Sequence, residues 1–125
     1  MVYASDRVST AHRRVSKAFQ VSAFDPTREQ LPVNTYVEYK ASGGGIFRFV
    51  AVRLPGGRYR AYITHQPSYG SRPSGSATVH RLMDRHGYYI CWDPEPRTVD
   101  GLIKVMRVWA EATVGYVTTG TFAPR

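Results

Sequence analysis

The stretch TYVEYKASGGGIFRFVAVRLPGGRYRAYITH, residues 35–65, decides the fold. Three runs within it, residues 35–41, 46–54 and 58–65, are rich in β-branched and aromatic residues. Such residues suit a pleated, half-buried surface, so each run reads as a strand. Gly43, Gly44 and Gly45 separate the first two runs, and Pro55, Gly56 and Gly57 separate the second from the third. Connections this short favour antiparallel hairpins over crossovers. The middle run, IFRFVAVRL, is the most apolar and is expected to lie centrally.

Helical patterns flank this block. Val8, Ala11, Val15, Ala18 and Phe19 recur at helical spacing over residues 6–19, with Ser5 or Asp6 placed to cap the start. Arg7, Arg13, Arg14 and Lys17 occupy the rest of that surface. A second helix is predicted from Val99 to about Val117, capped by Thr98 and buried through Leu102, Val105, Met106, Trp109, Ala110 and Tyr116. Gly115 is a potential break in it, and Gly120 suits its C-terminal stop. Between sheet and helix, QPSYGSRPSGS (residues 66–76) reads as an irregular loop, and residues 88–92 as a short strand. Helix, meander, loop, helix is an α+β order. The expected fold is one α+β domain over residues 1–125: an antiparallel β-meander of three to four strands, packed by an N-terminal helix and one or two C-terminal helices.

Composition narrows the function classes. At 125 residues and 42% hydrophobic content the chain supports a core without staples. No apolar run approaches a bilayer span, and MVYASDRVSTAHRR lacks the apolar core of a signal peptide, so no membrane partner and a cytoplasmic location are expected. The single cysteine excludes an intrachain disulfide and zinc sites of the Cys-pair kind. His12, His65, His80 and His86 lack ligand spacing, so neither metal nor cofactor is expected. The net charge of +8 directs attention to acidic partners. Phe47, Phe49, Tyr59 and Tyr62 alternate with Arg48, Arg53, Arg58 and Arg60; exposed, they would stack bases, but under a covering helix they fill a core. Core packing is the expected outcome.

The remaining motifs follow the third strand in a definite order. Pro67, Tyr69 and Pro73 lie in the loop, His80 follows it, and Gly87 precedes Ile90 and Cys91. This order resembles the middle of ubiquitin-conjugating enzymes, in which a Pro- and Tyr-containing loop, a His-Pro-Asn motif and a Gly…Ile/Leu-Cys segment succeed the meander. The tail, with Trp109, Tyr116, Thr119 and Gly120, is similar to divergent bacterial members found in anti-phage defence and ubiquitin-like modification systems. The resemblance implies that Cys91 carries a ubiquitin-like protein, or another protein's C-terminus, as a thioester. It implies an adenylating enzyme as donor, and docking through the basic first helix (Arg7, Arg13, Arg14, Lys17) and through Pro67, Tyr69 and Pro73. His80 takes the place of the motif's histidine, and Asp93 (or Asp84) would orient or deprotonate the attacking amine.

Two departures bear on catalysis. Arg81 and Leu82 follow His80 where the family has Pro-Asn, and the interval to Cys91 is about one residue longer. Loss of one oxyanion donor costs ~10²–10³ in rate. Three readings therefore stay open: a cysteine-dependent carrier, an inactive relative that binds partners, and a basic nucleic-acid-binding module. In the bland alternative Cys91, between Ile90 and Trp92, is simply a core residue. Exposure of its sulfur discriminates.

Overall fold

The computed structural model describes residues 35–124. The helix expected over residues 6–19, with Arg7, Arg13, Arg14 and Lys17, lies outside the described residues. The elements run β1 (Thr35–Lys40), a 3-10 turn (Ser42–Gly44), β2 (Ile46–Arg53), β3 (Tyr59–His65), a one-turn helix α1 (Ser76–Val79), β4 (Arg81–Asp84), β5 (Gly87–Ile90) and α2 (Val99–Thr119). The architecture is α+β, with one five-stranded antiparallel sheet and a long C-terminal helix.

Strands β1, β2 and β3 form the expected meander, with Phe49 opposite Val37 on one side and Ile63 on the other. The register shifts between Arg48 and Phe49, where β3 carries an extra residue. The skipped Thr64 turns its hydroxyl onto the Arg48 carbonyl at 3.2 Å.

Beyond β3 the sheet departs from the expectation of three to four strands in sequence order. The strand order is β1-β2-β3-β5-β4: the chain passes to the outer edge, forms β4, and returns as β5 beside β3. Composition explains which strand takes the inner place. Strand β5 brings Tyr89 against Tyr62 and Ile90 into the core, whereas β4 begins with Arg81 and ends with Asp84, the charges an edge tolerates.

Side-chain alternation sorts the sheet into two faces. Val37, Phe47, Phe49, Ala51, Tyr59 and Ala61 turn toward α2 and pack with Leu102, Val105, Met106, Trp109 and Ala110. Tyr36, Val50, Val52 and Tyr62 form a smaller cluster on the other face. Strand β2 is thus buried on both sides, which is why its sequence is nearly continuous in apolar residues. All four aromatics in question, Phe47, Phe49, Tyr59 and Tyr62, are core residues. Trp109 stands edge-on to Phe47 and Phe49, and each such ring contributes ~1.5–3 kcal/mol by leaving water.

Helix α2 begins as expected. Thr98 Oγ1 accepts from the Gly101 N–H at 2.9 Å, and Asp100 sits in the first turn, where a negative charge meets the positive end of the helix dipole. The helix runs unbroken through Gly115 to Thr119. Gly120 closes it in the left-handed region (φ 86°), and its N–H donates to the Tyr116 carbonyl at 2.7 Å. Arg72 adds donors to the last turn, Nε to the Val117 carbonyl and Nη2 to the Thr118 carbonyl. A Cβ at position 120 would lie 2.7 Å from Arg72 Nη1. Gly120→Ala is therefore expected to lower the unfolding free energy by ~1–2 kcal/mol from the left-handed penalty. Urea denaturation checks it; an unchanged midpoint would mean that the tail relaxes without cost.

The Pro- and Ser-rich loop is tied to α2. Tyr116 Oη donates to the Pro73 carbonyl at 2.6 Å, Trp109 Nε1 donates to the Val79 carbonyl at 3.0 Å, and Tyr69, Val79 and Tyr116 form a third apolar cluster.

Candidate functional site

Cys91 is the first residue after β5 and is half-buried. Its N–H donates to the His80 carbonyl at 2.9 Å, adding one more pairing to the β4–β5 ladder beyond Arg81 and Ile90. The fold therefore brings His80 and Cys91 together, and the contact is between their main chains. His80 stands at the C-terminal end of α1 with φ 55° and ψ 47°. Its ring stacks on Phe122 at 4.9 Å between centroids. Left-handed backbone at a residue other than glycine is uncommon, and here it serves the sharp exit from α1 into β4.

The positions where the family has Pro-Asn are occupied differently. The Arg81 guanidinium lies over the Tyr88 ring at 3.6 Å and approaches Tyr69 at 5.1 Å, and its Nη1 donates to Gln66 Oε1 at 2.9 Å. Leu82 is on the edge strand and exposed. Asp93, two residues beyond Cys91, is exposed and precedes a cis peptide bond to Pro94. In the loop, Pro73 is exposed, Pro67 is half-buried and Tyr69 is buried, so Tyr69 supports the loop from beneath instead of presenting its ring.

Sequence reasoning missed a polar network on the face of the sheet away from α2. The Glu95 carboxylate accepts from Arg58 Nη1 at 2.5 Å and from Arg60 Nε at 2.7 Å. Arg60 also lies over the Tyr89 ring at 4.1 Å and 3.7 Å from Asp84. Burial alone would lower the Arg60 pKa; its bonds to Glu95 and Tyr62 outweigh burial, and the guanidinium is held firmly charged. The main chain joins in: the Tyr59 N–H donates to the Pro96 carbonyl at 2.8 Å, so the segment leaving Cys91 runs along β3. The available signal was Glu95 between two prolines with Arg58 and Arg60 two apart on a strand.

Tyr62 Oη donates to Asp84 Oδ2 at 2.6 Å. Burial first, and then this bond to a carboxylate, push the Tyr62 hydroxyl up to about 12. Burial would raise Asp84, but hydrogen bonds from Tyr62 and the His86 N–H overcome it and hold the carboxyl below its ordinary value. Because the folded Asp84 pKa is depressed, its contribution is present above the ordinary carboxylate range and is lost as pH falls through the folded value. Tyr62 is opposite: raised above its unfolded value, it contributes below about 10 and loses that contribution as pH climbs toward about 12. Tyr62→Phe is expected to cost ~1 kcal/mol and to move the Asp84 pKa upward. A carboxyl-carbon NMR titration that leaves Asp84 unmoved would refute this.

A cleft of about 530 Å³ lies against α2, walled by Arg107, Glu111, Gly115, Thr119 and Thr121. It contains none of Cys91, His80 or Asp93, and its carboxylate is occupied, Glu111 accepting from Tyr39 Oη and the Ser42 N–H. Among the described residues no cluster of three or more His, Cys, Asp or Glu side chains has the arrangement to hold a metal, and no helix is long and apolar enough to cross a membrane. The chain matches no protein-family model, no curated protein and no solved structure.

Proposed function

We propose that this chain is a ubiquitin-conjugating-like carrier whose Cys91 accepts the C-terminal acyl group of a ubiquitin-like protein from an adenylating partner and hands it to an amine. The observation that carries the reading is a half-buried cysteine at the end of an inner strand, with its main chain bonded to His80. In the first step the thiolate attacks the activated carbonyl; a carbon–sulfur bond forms and the bond to the activating group breaks. In the second an amine attacks the thioester, the amide forms, the thiolate leaves and the amine gives up a proton. The exposed carboxylate of Asp93, two residues away, supports a role in orienting that amine or receiving the proton. Pro67 and Pro73 supply the partner-facing loop, with Tyr69 beneath it, and Arg7, Arg13, Arg14 and Lys17 the docking surface for the adenylating enzyme.

One observation favours a second reading, in which the same domain binds partners without chemistry. His80 spends its carbonyl on the Cys91 N–H and its ring on Phe122, and Leu82 stands where an oxyanion-holding amide would be. One experiment separates the two. The chain is isolated from its host under non-reducing conditions and examined by mass spectrometry. A carrier yields an acyl adduct on Cys91 that thiols release; Cys91→Ser retains it as a thiol-resistant ester and Cys91→Ala has none. A native chain without adduct, together with full biological activity of Cys91→Ser, would sink the carrier and leave the binding module.

A further inference from the structure

We infer that the outer edge of β4 is a docking site for an acidic, extended segment of a partner protein, which joins the sheet as an added strand. The inference is independent of the chemistry at Cys91. The sheet ends at β4, and among the described residues no strand pairs with its outer side. The ladder register says which groups are turned outward. Asp84 faces Gly87 across a two-residue turn, Leu82 faces Tyr89, and His80 bonds to Cys91. In an antiparallel ladder such alternate residues exchange the hydrogen bonds, so the intervening Arg81 and Met83 direct their own N–H and C=O groups away from β5.

The same hairpin carries the exposed large hydrophobic residues of the described chain: Met83 at 64%, Tyr88 at 39% and Leu82 at 38%. Leu82 and Met83 are consecutive, so they point to opposite faces and the edge is open on both. The charges of β4, Arg81 and Asp84, stand at its ends, and its two central residues are exposed and apolar, a pattern that marks an interaction surface.

Charge selects the occupant. Arg85 is exposed at the hairpin tip and Arg81 is fixed over Tyr88, while Asp84 is already engaged by Tyr62 and the His86 N–H. The edge therefore presents cations, while its own carboxylate is turned to Tyr62, the His86 N–H and Arg60, 3.7 Å away. A second copy would bring together two chains that each carry +8 and two hairpins of the same sign. An acidic strand meets no such repulsion. Its main chain would bond to Met83, its alternate apolar side chains would cover Met83 and Tyr88 on one face and Leu82 on the other, and its carboxylates would reach Arg81 and Arg85.

The test titrates the full chain, labelled with nitrogen-15, with a short capped peptide of alternating valine and glutamate, and with its lysine-for-glutamate counterpart. The expected result is amide shifts centred on Arg81 and Met83, with the acidic peptide bound about tenfold or more tighter, a preference that fades with salt. Arg85→Glu is expected to abolish the preference. Met83→Pro, which removes an N–H the sheet does not use, is expected to abolish binding with the other amide resonances kept. Cys91→Ala should bind like the native chain, which separates this site from the carrier reading. Equal affinity for both peptides, shifts elsewhere, or indifference to Arg85→Glu would overturn the inference. Concentration-dependent dimerisation with shifts at Met83 would assign the edge to a second copy instead, and tighter binding of oligothymidylate at Arg81 and Tyr88 would assign it to nucleic acid.

Discussion

Trp109→Ala is expected to lower the unfolding free energy by ~3–5 kcal/mol, the range for removing a large aromatic ring from a packed core. Trp109 is fully buried, contacts Phe47 and Phe49 edge-on at 5.9 and 6.2 Å, and bonds through Nε1 to the Val79 carbonyl. One substitution thus opens a cavity between helix and sheet and orphans a buried carbonyl. Domains of this size have only ~5–15 kcal/mol in total, so the variant is expected to be barely folded at 37 °C. Trp109→Phe keeps most of the ring and loses the hydrogen bond, for an expected ~1–3 kcal/mol. Val79 immediately precedes His80, whose carbonyl holds the Cys91 N–H, so Trp109→Phe should also shift the Cys91 amide resonance. Urea denaturation followed by far-ultraviolet circular dichroism measures the first effect. A loss under about 1 kcal/mol for Trp109→Ala would contradict the packing account.

The second large effect is expected at Glu95. Its side chain is 11% exposed and is shared by Arg58 and Arg60. Glu95→Ala leaves the Arg60 guanidinium, 19% exposed, with the longer carboxylate contact to Asp84 at 3.7 Å, the Tyr89 ring and Tyr62. Uncovering one member of a buried ion pair costs ~3–5 kcal/mol, and partial exposure together with the remaining carboxylate reduces the expectation to ~2–4 kcal/mol. Glu95→Gln keeps the shape and the acceptor oxygen but not the charge, so a smaller loss is expected. The removed charge also anchors the chain just beyond Cys91, and Cys91 labelling by a thiol reagent should accelerate in Glu95→Ala. Equal stability of Glu95→Ala and the native chain would show that the two arginines are satisfied by water. The effect should persist in high salt, because the group is largely shielded from mobile ions.

How far the sequence could be read depends on the range of each interaction. Strands β1, β2 and β3 were legible because alternation, glycine turns and β-branched content act within a few residues. The helix over Val99–Thr119 was legible because its stripe and its Thr98 and Gly120 caps are local patterns. The hairpin β4–β5 was only half read: residues 88–92 were expected as a strand, and the structure has Gly87–Ile90 paired with Arg81–Asp84. The run RLMD mixes charge and hydrophobicity and has no signature until a neighbour aligns it. At the candidate site, His80 and Cys91 were legible only as motifs in order along the chain; the main-chain bond between them depends on the left-handed turn at His80. Glu95 between its two prolines stood out in the sequence, but nothing there paired it with Arg58 and Arg60, which lie 37 and 35 residues away.

By itself, then, the sequence determined the local elements: where the chain extends, where it coils, and where glycine, threonine and proline end each element. Tertiary structure alone decided that β5 enters the sheet before β4, that Cys91 is half-buried, and that among the described residues no strand covers the outer side of β4. The physical reason is that alternation and capping are energies of neighbouring residues. Strand order, exposure and ion pairing are instead energies of surfaces that meet only when distant segments pack.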